Sequence, residues 1–144
     1  MTKEVKVTIS GLHFAEDGQQ ELEMAYDGEY YEKNGVHYLF FNELQEGFEE
    51  PVRNRYTMTA ESLEVRRSGP VSANLHFREG ERRQSTYQVP WGSLNAAFDT
   101  SRVRLAVRKD RLEMQVVYRL NLDGEEQAEC DIRVRVEERK KTGM

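Results

Sequence analysis

The feature that most constrains this chain is a strict two-residue alternation near its C-terminus. From Arg111 onward, Leu112, Met114, Val116, Tyr118, Leu120 and Leu122 take every second position, with Glu113, Gln115, Arg119 and Asn121 filling most of the gaps. Side chains of a strand point alternately to its two faces, so this pattern predicts a long strand with one buried face. The flanking segments follow the same rule. Val103, Leu105 and Val107 face away from Arg102, Arg104 and Arg108, and Lys109-Asp110 reads as a tight hairpin turn. After the turn signal Asp123-Gly124, the inward set Ala128, Cys130, Ile132, Val134 and Val136 alternates with charged residues.

Upstream, Val5, Val7 and Ile9 predict an edge-like opening strand, Leu22, Met24 and Tyr26 a second, and Val71, Ala73, Leu75 and Phe77 another. Further strands are expected near residues 29–33, 35–42, 52–60, 62–68, 82–89 and 93–98. Turn residues punctuate them at Asp17-Gly18, Asn34-Gly35, Ser68-Gly69-Pro70 and Glu79-Gly80-Glu81. Pro90-Trp91-Gly92 suits a type I turn with Pro second and Gly fourth. No helical period runs for ten residues, although Asn42 to Glu50 fits a short helix or a loop. Hairpin-length connections require antiparallel neighbours. A meander of about ten such strands loses its exposed edges by closing, so the expected fold is all-β: an antiparallel up-and-down meander barrel, with a two-sheet sandwich as the alternative. A single domain over residues 1–144 accommodates it.

Composition narrows the classes of function. With 21 Lys and Arg against 26 Asp and Glu, the net charge of −5 argues against a uniformly basic nucleic-acid coat. The charge is segregated: residues 1–50 carry three basic against twelve acidic side chains, and residues 51–111 carry twelve against six. No apolar run is long enough to span a bilayer, and the first residues lack a secretion signal, so the expectation is a cytoplasmic protein with no membrane partner. The single cysteine, Cys130, rules out an internal disulfide and any zinc site built from several thiolates.

At Arg66-Arg67-Ser68-Gly69-Pro70-Val71, followed by Phe77, Gly80, Tyr87 and Pro90-Trp91-Gly92-Ser93-Leu94, the sequence resembles the YwiB-like bacterial family of unknown function. The resemblance extends almost end to end, through Asp27-Gly28-Glu29-Tyr30-Tyr31 and Tyr118-Arg119-Leu120-Asn121-Leu122-Asp123-Gly124. It departs at Trp91, where Tyr is more usual, and at Pro70, where Ala is more usual. The resemblance implies a lipocalin-like, calycin-type barrel and brings no catalytic residue with it.

The residues themselves offer little chemistry. His13, His37 and His76 are scattered, without metal-ligand spacing to one another or to Cys130, and read as surface or partly buried strand residues. Cys130 shares the inward phase with Ile132 and reads as a small core residue. No nucleophile motif is present, so the expectation is a non-enzyme with no cofactor and no metal. More informative are polar groups in the inward phase. Asn54 shares it with Val52, Tyr56 and Met58, and Arg67 shares it with Leu63 and Val65. Tyr26, Tyr38, Tyr56, Tyr87 and Tyr118 also take inward phases. Arg67, Asn54, Tyr56, Tyr87 and Tyr118 thus form a candidate ligand-binding set for a small amphipathic or anionic molecule in the lumen. The alternative is that Arg67 reaches water at the rim and the tyrosines simply pack.

Two surface features complete the reading. Arg53, Arg55, Arg66, Arg78, Arg102, Arg104 and Arg108 take the outward phase, which would suit nucleic acid or an acidic protein if they formed one stripe, and is otherwise a solvated face with cross-strand partners such as Glu64 or a contact with the acidic first third of another copy. His37, Leu39 and Phe41 alternate with Val36, Tyr38 and Phe40, so this strand is apolar on both faces. Either the segment after Asn42 or a second subunit covers the outer one, and a homodimer is the favoured reading.

Overall fold

Ten strands form in sequence. They are β1 (Glu4–Ala15), β2 (Gly18–Lys33), β3 (Val36–Glu43), β4 (Val52–Met58), β5 (Ser62–Ser68), β6 (Ala73–Arg78), β7 (Arg82–Val89), β8 (Gly92–Val107), β9 (Arg111–Leu122) and β10 (Glu125–Glu138). The structure is a computed structural model that describes residues 3–15, 18–44 and 47–139. Every ladder is antiparallel, and the strand order β6-β5-β4-β3-β2-β1-β10-β9-β8-β7 is an unbroken meander. The first and last strands pair along most of their length, from Val5 opposite Glu138 to Phe14 opposite Glu129. β1 is therefore an interior strand and not the edge that its short apolar run suggested.

The circle is instead thinnest between β6 and β7. Among the described residues, only Ser72 and Gln88 exchange backbone hydrogen bonds there, at 2.8 and 2.9 Å, with Ser85 Oγ donating to the Asn74 carbonyl. The fold is thus a nearly closed, ten-stranded, lipocalin-like antiparallel barrel.

Alternation converts directly into packing. Leu112, Met114 and Val116 of β9 and Val134 and Val136 of β10 are buried, and meet Val5, Val7, Leu39 and Met58 across the interior. Each such fully buried side chain contributes about 1.5–3 kcal/mol. Asn34 and Gly35, and Asp123 and Gly124, all have positive φ, as a two-residue hairpin turn of type I′ requires. The turn at Pro90-Trp91 takes the expected form, with no positive φ at either residue and Val89 pairing with Gly92. Asp17 lies outside the described residues.

Three sequence expectations change. Residues 22–26 and 29–33 belong to one strand that runs unbroken through Asp27-Gly28: Gly28 sits where β2 is crowded from inside, and a Cβ there would lie 2.8 Å from the Phe40 carbonyl and 3.0 Å from Val7 Cγ2. Residues 93–98 and 103–107 likewise merge into β8, whose bulge between Thr100 and Arg102 switches the inward phase from Phe98 to Val103. Finally, Asn42 and Glu43 extend β3, and the described residues between β3 and β4 form no helix.

Strand length shapes the mouth. Phe41 lies opposite Gly28; β3 ends two residues later at Glu43, whereas β2 runs back to Gly18. The long strands β1, β2 and β8–β10 overhang the short ones and leave the inward-phase side chains of Leu22, Met24 and Leu94 exposed at one end.

Candidate functional site

Beneath that overhang lies a cavity of about 250 Å3 inside the barrel. Its walls are set by period two on successive strands: Ile9 on β1, Tyr26 on β2, Phe41 on β3, Tyr56 on β4, Val65 on β5 and Phe77 on β6. All five residues of the candidate ligand-binding set, Arg67, Asn54, Tyr56, Tyr87 and Tyr118, line this one space. Tyr26 joins them. Tyr38 does not: it takes the outer face of β3, opposite Tyr31 and Thr57, while His37, Leu39 and Phe41 take the inner one. A strand apolar on both faces carries no alternation to fix its phase, which is why the sequence assigned Tyr38 inward.

Register places the polar groups side by side. Arg67 opposes Asn54, and Asn54 opposes Phe41, two residues before Glu43. The Arg67 guanidinium donates to Glu43 Oε1 at 2.7 Å, with the two side chains only 17% and 18% exposed. Asn54, buried, donates through Nδ2 to the same oxygen at 3.5 Å and to the Val52 carbonyl at 3.4 Å. Arg67 therefore turns into the cavity instead of out to the rim, and its charge is met by a carboxylate that the sequence reading missed. The signal was present: continuing the alternation Leu39-Phe41 by one step brings Glu43 inward.

The tyrosines give the cavity a ring of phenols. Burial pushes Tyr56, Tyr87 and Tyr118 upward from the ordinary tyrosine range; at Tyr87 the charge of Arg67 and a hydrogen bond to it oppose that rise. Burial also raises Tyr26, with the Glu43 carboxylate adding to the effect. Each hydroxyl is thus protonated at neutral pH; those of Tyr26 and Tyr118 already donate, to Met24 Sδ at 3.3 Å and to the Cys130 thiol. Aromatic rings floor the space: Tyr26 stacks on Phe41 with centroids 4.9 Å apart, and Phe77 meets Tyr118 at 4.8 Å. The arrangement is apolar below and dipolar above.

Nucleophilic chemistry has no support in it. Cys130 is fully buried, and burial raises its thiol pKa, against a lowering hydrogen bond from Tyr118. His37 is buried, not the surface or partly buried residue expected. Its Nδ1 lies 2.5 Å from the Tyr30 hydroxyl and 3.6 Å from Glu32, apart from the cavity lining. Burial and the Glu32 charge push Tyr30 up to about 12, so the phenol keeps its proton at neutral pH. His76 is partly exposed on the outer face, opposite Glu64, and the side chain of His13 lies outside the described part. Among the described residues, no group of three His, Cys, Asp or Glu side chains could hold a metal ion, and no helix is long and apolar enough to cross a membrane.

The seven outward arginines are all exposed, yet they do not join into one stripe. Arg53, Arg55 and Arg66 cluster on β4 and β5, with Arg55 directly opposite Arg66. Arg102 and Arg104 lie on β8, beyond β6 and β7, and Arg108 lies just after β8. In the intervening strands, Arg78 is held by Glu61 at 2.8 Å and Arg82 by Asp99 at 2.7 Å.

Comparison with known proteins agrees with this architecture. The crystal structure of the ywiB protein from Bacillus subtilis matches with a TM-score of 0.86, covering 96% of this chain and 93% of that one at 18% identity. Identity that low carries the fold and nothing of the activity. No curated protein matches the chain. A family model described as a domain of unknown function (DUF1934) matches residues 7–134, reaching into all ten strands, and assigns no enzymatic activity. That model spans most of the chain, in agreement with the resemblance noted in the sequence, and the chain therefore belongs to the DUF1934 family.

Proposed function

We propose that this protein is a non-catalytic binding barrel that holds a small amphipathic molecule in its lumen. The observation that carries the reading is the unfilled space itself, about 250 Å3 whose aromatic and aliphatic walls converge on Arg67, Glu43 and Asn54. A packed core leaves few voids larger than a water molecule, and a buried ion pair opening onto such a void has no stability rationale of its own. Pockets that bind small molecules have this composition, with mostly apolar walls and a few convergent polar groups.

Glu43 refines the class of ligand. Because the carboxylate already neutralises Arg67, the head of the site is dipolar, which favours a zwitterionic or neutral hydrogen-bonding head group. A simple anion has to displace Glu43 from the guanidinium, and so binds less tightly than Arg67 alone would allow. The ligand's apolar body lies against Phe41, Phe77, Val116 and Val134.

Native mass spectrometry of the protein purified under mild conditions tests the reading. A stoichiometric small-molecule adduct, released on denaturation, is expected. A bare polypeptide mass, together with a crystal structure whose lumen is filled by side chains, would overturn it.

A further inference from the structure

The outer face of β3 carries a charge order that fits a second copy of the same chain. Across the sheet, Glu4 on β1 opposes Glu29 on β2, Glu29 opposes Phe40 on β3, Phe40 opposes Arg55 on β4, and Arg55 opposes Arg66 on β5. The row therefore reads acid, acid, aromatic, base, base. One step along, Asn42 opposes Arg53 and sits beside Asp27. Tyr31 and Phe40 are exposed and meet edge to face at 5.9 Å, with Tyr38 beside them.

Like charges directly opposite on a sheet repel, so Arg55 and Arg66 destabilise the isolated barrel unless something acidic meets them. Among the described residues, neither they nor Arg53 has an ion-pair partner. On the acidic side, Asp27 lies opposite Lys6 and reaches Arg139 at 3.7 Å, and Glu29 feels the Lys3 charge and accepts from the Tyr31 hydroxyl at 3.3 Å. Such contacts are worth little.

We infer that the β1–β5 outer face is an isologous homodimer interface, with its two-fold axis running along β3. Symmetry decides the axis. Rotation about a line parallel to β3 exchanges left for right while keeping position along the strand, so it sets Glu29 against the partner's Arg55, Asp27 against its Arg53 and Phe40 against its Phe40. An axis across the strands sets acid on acid. The same rotation brings Glu4 to Arg66 at the outer edge, where the barrel curves away. Neighbouring strands lie about 4.8 Å apart, so the patch is roughly 20 Å wide and near the small end of specific interfaces, which implies a salt-sensitive dimer of micromolar strength. The dimer does not depend on the lumen being occupied.

Charge exchange tests this. Sedimentation velocity over a micromolar concentration series should show a wild-type monomer–dimer equilibrium that shifts to monomer at high salt. The double variant Arg53→Glu/Arg55→Glu and the double variant Asp27→Lys/Glu29→Lys should each be monomeric, with at least a tenfold weaker association, while an equimolar mixture of the two restores the dimer. Near-ultraviolet circular dichroism verifies that each variant is folded, as expected for substitutions at exposed positions. A wild-type chain that stays monomeric throughout, or a mixture that does not associate, would overturn the inference. So would a monomer whose Arg53-Arg55-Arg66 cluster instead binds a single-stranded oligonucleotide with steep salt dependence.

Discussion

Removing the charge of Glu43 isolates the role of the ion pair in the lumen. Breaking one partner of a buried pair costs about 3–5 kcal/mol, because the other charge is left without compensation. Both side chains here keep a little under a fifth of their surface in contact with solvent, so water recovers part of that loss. Glu43→Gln should then destabilise by about 2–3 kcal/mol, a fall in melting temperature of roughly 6–10 °C for a domain of this size. Arg67→Met alone should cost a similar amount, since the two side chains are almost equally exposed. The double variant Glu43→Gln/Arg67→Met should recover most of the loss, giving a coupling of about 1.5–2.5 kcal/mol in a double-mutant cycle measured by urea denaturation. The same substitution should help an anion: octanoate should bind Glu43→Gln at least tenfold more tightly than wild type, about 1.4 kcal/mol, because no internal carboxylate competes for Arg67. Coupling below about 0.5 kcal/mol together with unchanged octanoate affinity would refute the reasoning.

Three further outcomes follow from single features. Gly28→Ala should destabilise by about 1–3 kcal/mol in chemical denaturation, since the new methyl group meets the Phe40 carbonyl at 2.8 Å and the strand has no flexible side chain to move aside. Thr100→Val should be neutral or stabilising, because Thr100 Oγ1 is buried with no hydrogen-bond partner among the described residues. Stability should fall as pH rises above the ordinary tyrosine value of about 10: the unfolded phenols ionise there while those of Tyr30, Tyr56 and Tyr118, raised chiefly by burial, keep their protons, so the unfolded state binds fewer. Each such group contributes about 1.4 kcal/mol per pH unit between its unfolded and folded values. A pH series of urea titrations on wild type and Tyr56→Phe should show a shallower alkaline loss in the variant.

Much of this was legible from period two alone. β9 and β10 are written as alternation and fold as written, and the turns at Asn34-Gly35 and Asp123-Gly124 follow from residues that tolerate positive φ. The candidate set also gathers as expected, because inward residues of consecutive antiparallel strands must share one interior. The failures have physical causes. The β8 bulge at Ser101 changes the phase of one strand and makes it look like two. Gly28 interrupts the apolar alternation of β2, so one strand reads as two, because its place is too close-packed for a side chain. Tyr38 was misplaced because β3 is apolar on both faces, and Glu43 was missed because Asn42 to Glu50 reads as a short helix or a loop. Closure between β1 and β10, and the thin seam between β6 and β7, depend on tertiary pairing that no local pattern encodes.

The central claim, that the lumen is an open site and not a packed core, is tested most directly by filling it. Ile9 lines the cavity and is only partly buried, so Ile9→Phe adds a ring into the void without entering the tightest part of the core. Titration with 1-anilinonaphthalene-8-sulfonate, followed by fluorescence, should show saturable one-to-one binding to wild type and at least a tenfold loss of affinity in Ile9→Phe at an unchanged or higher melting temperature. Equal binding by the two proteins would place the probe on the exposed apolar rim and contradict the lumen site.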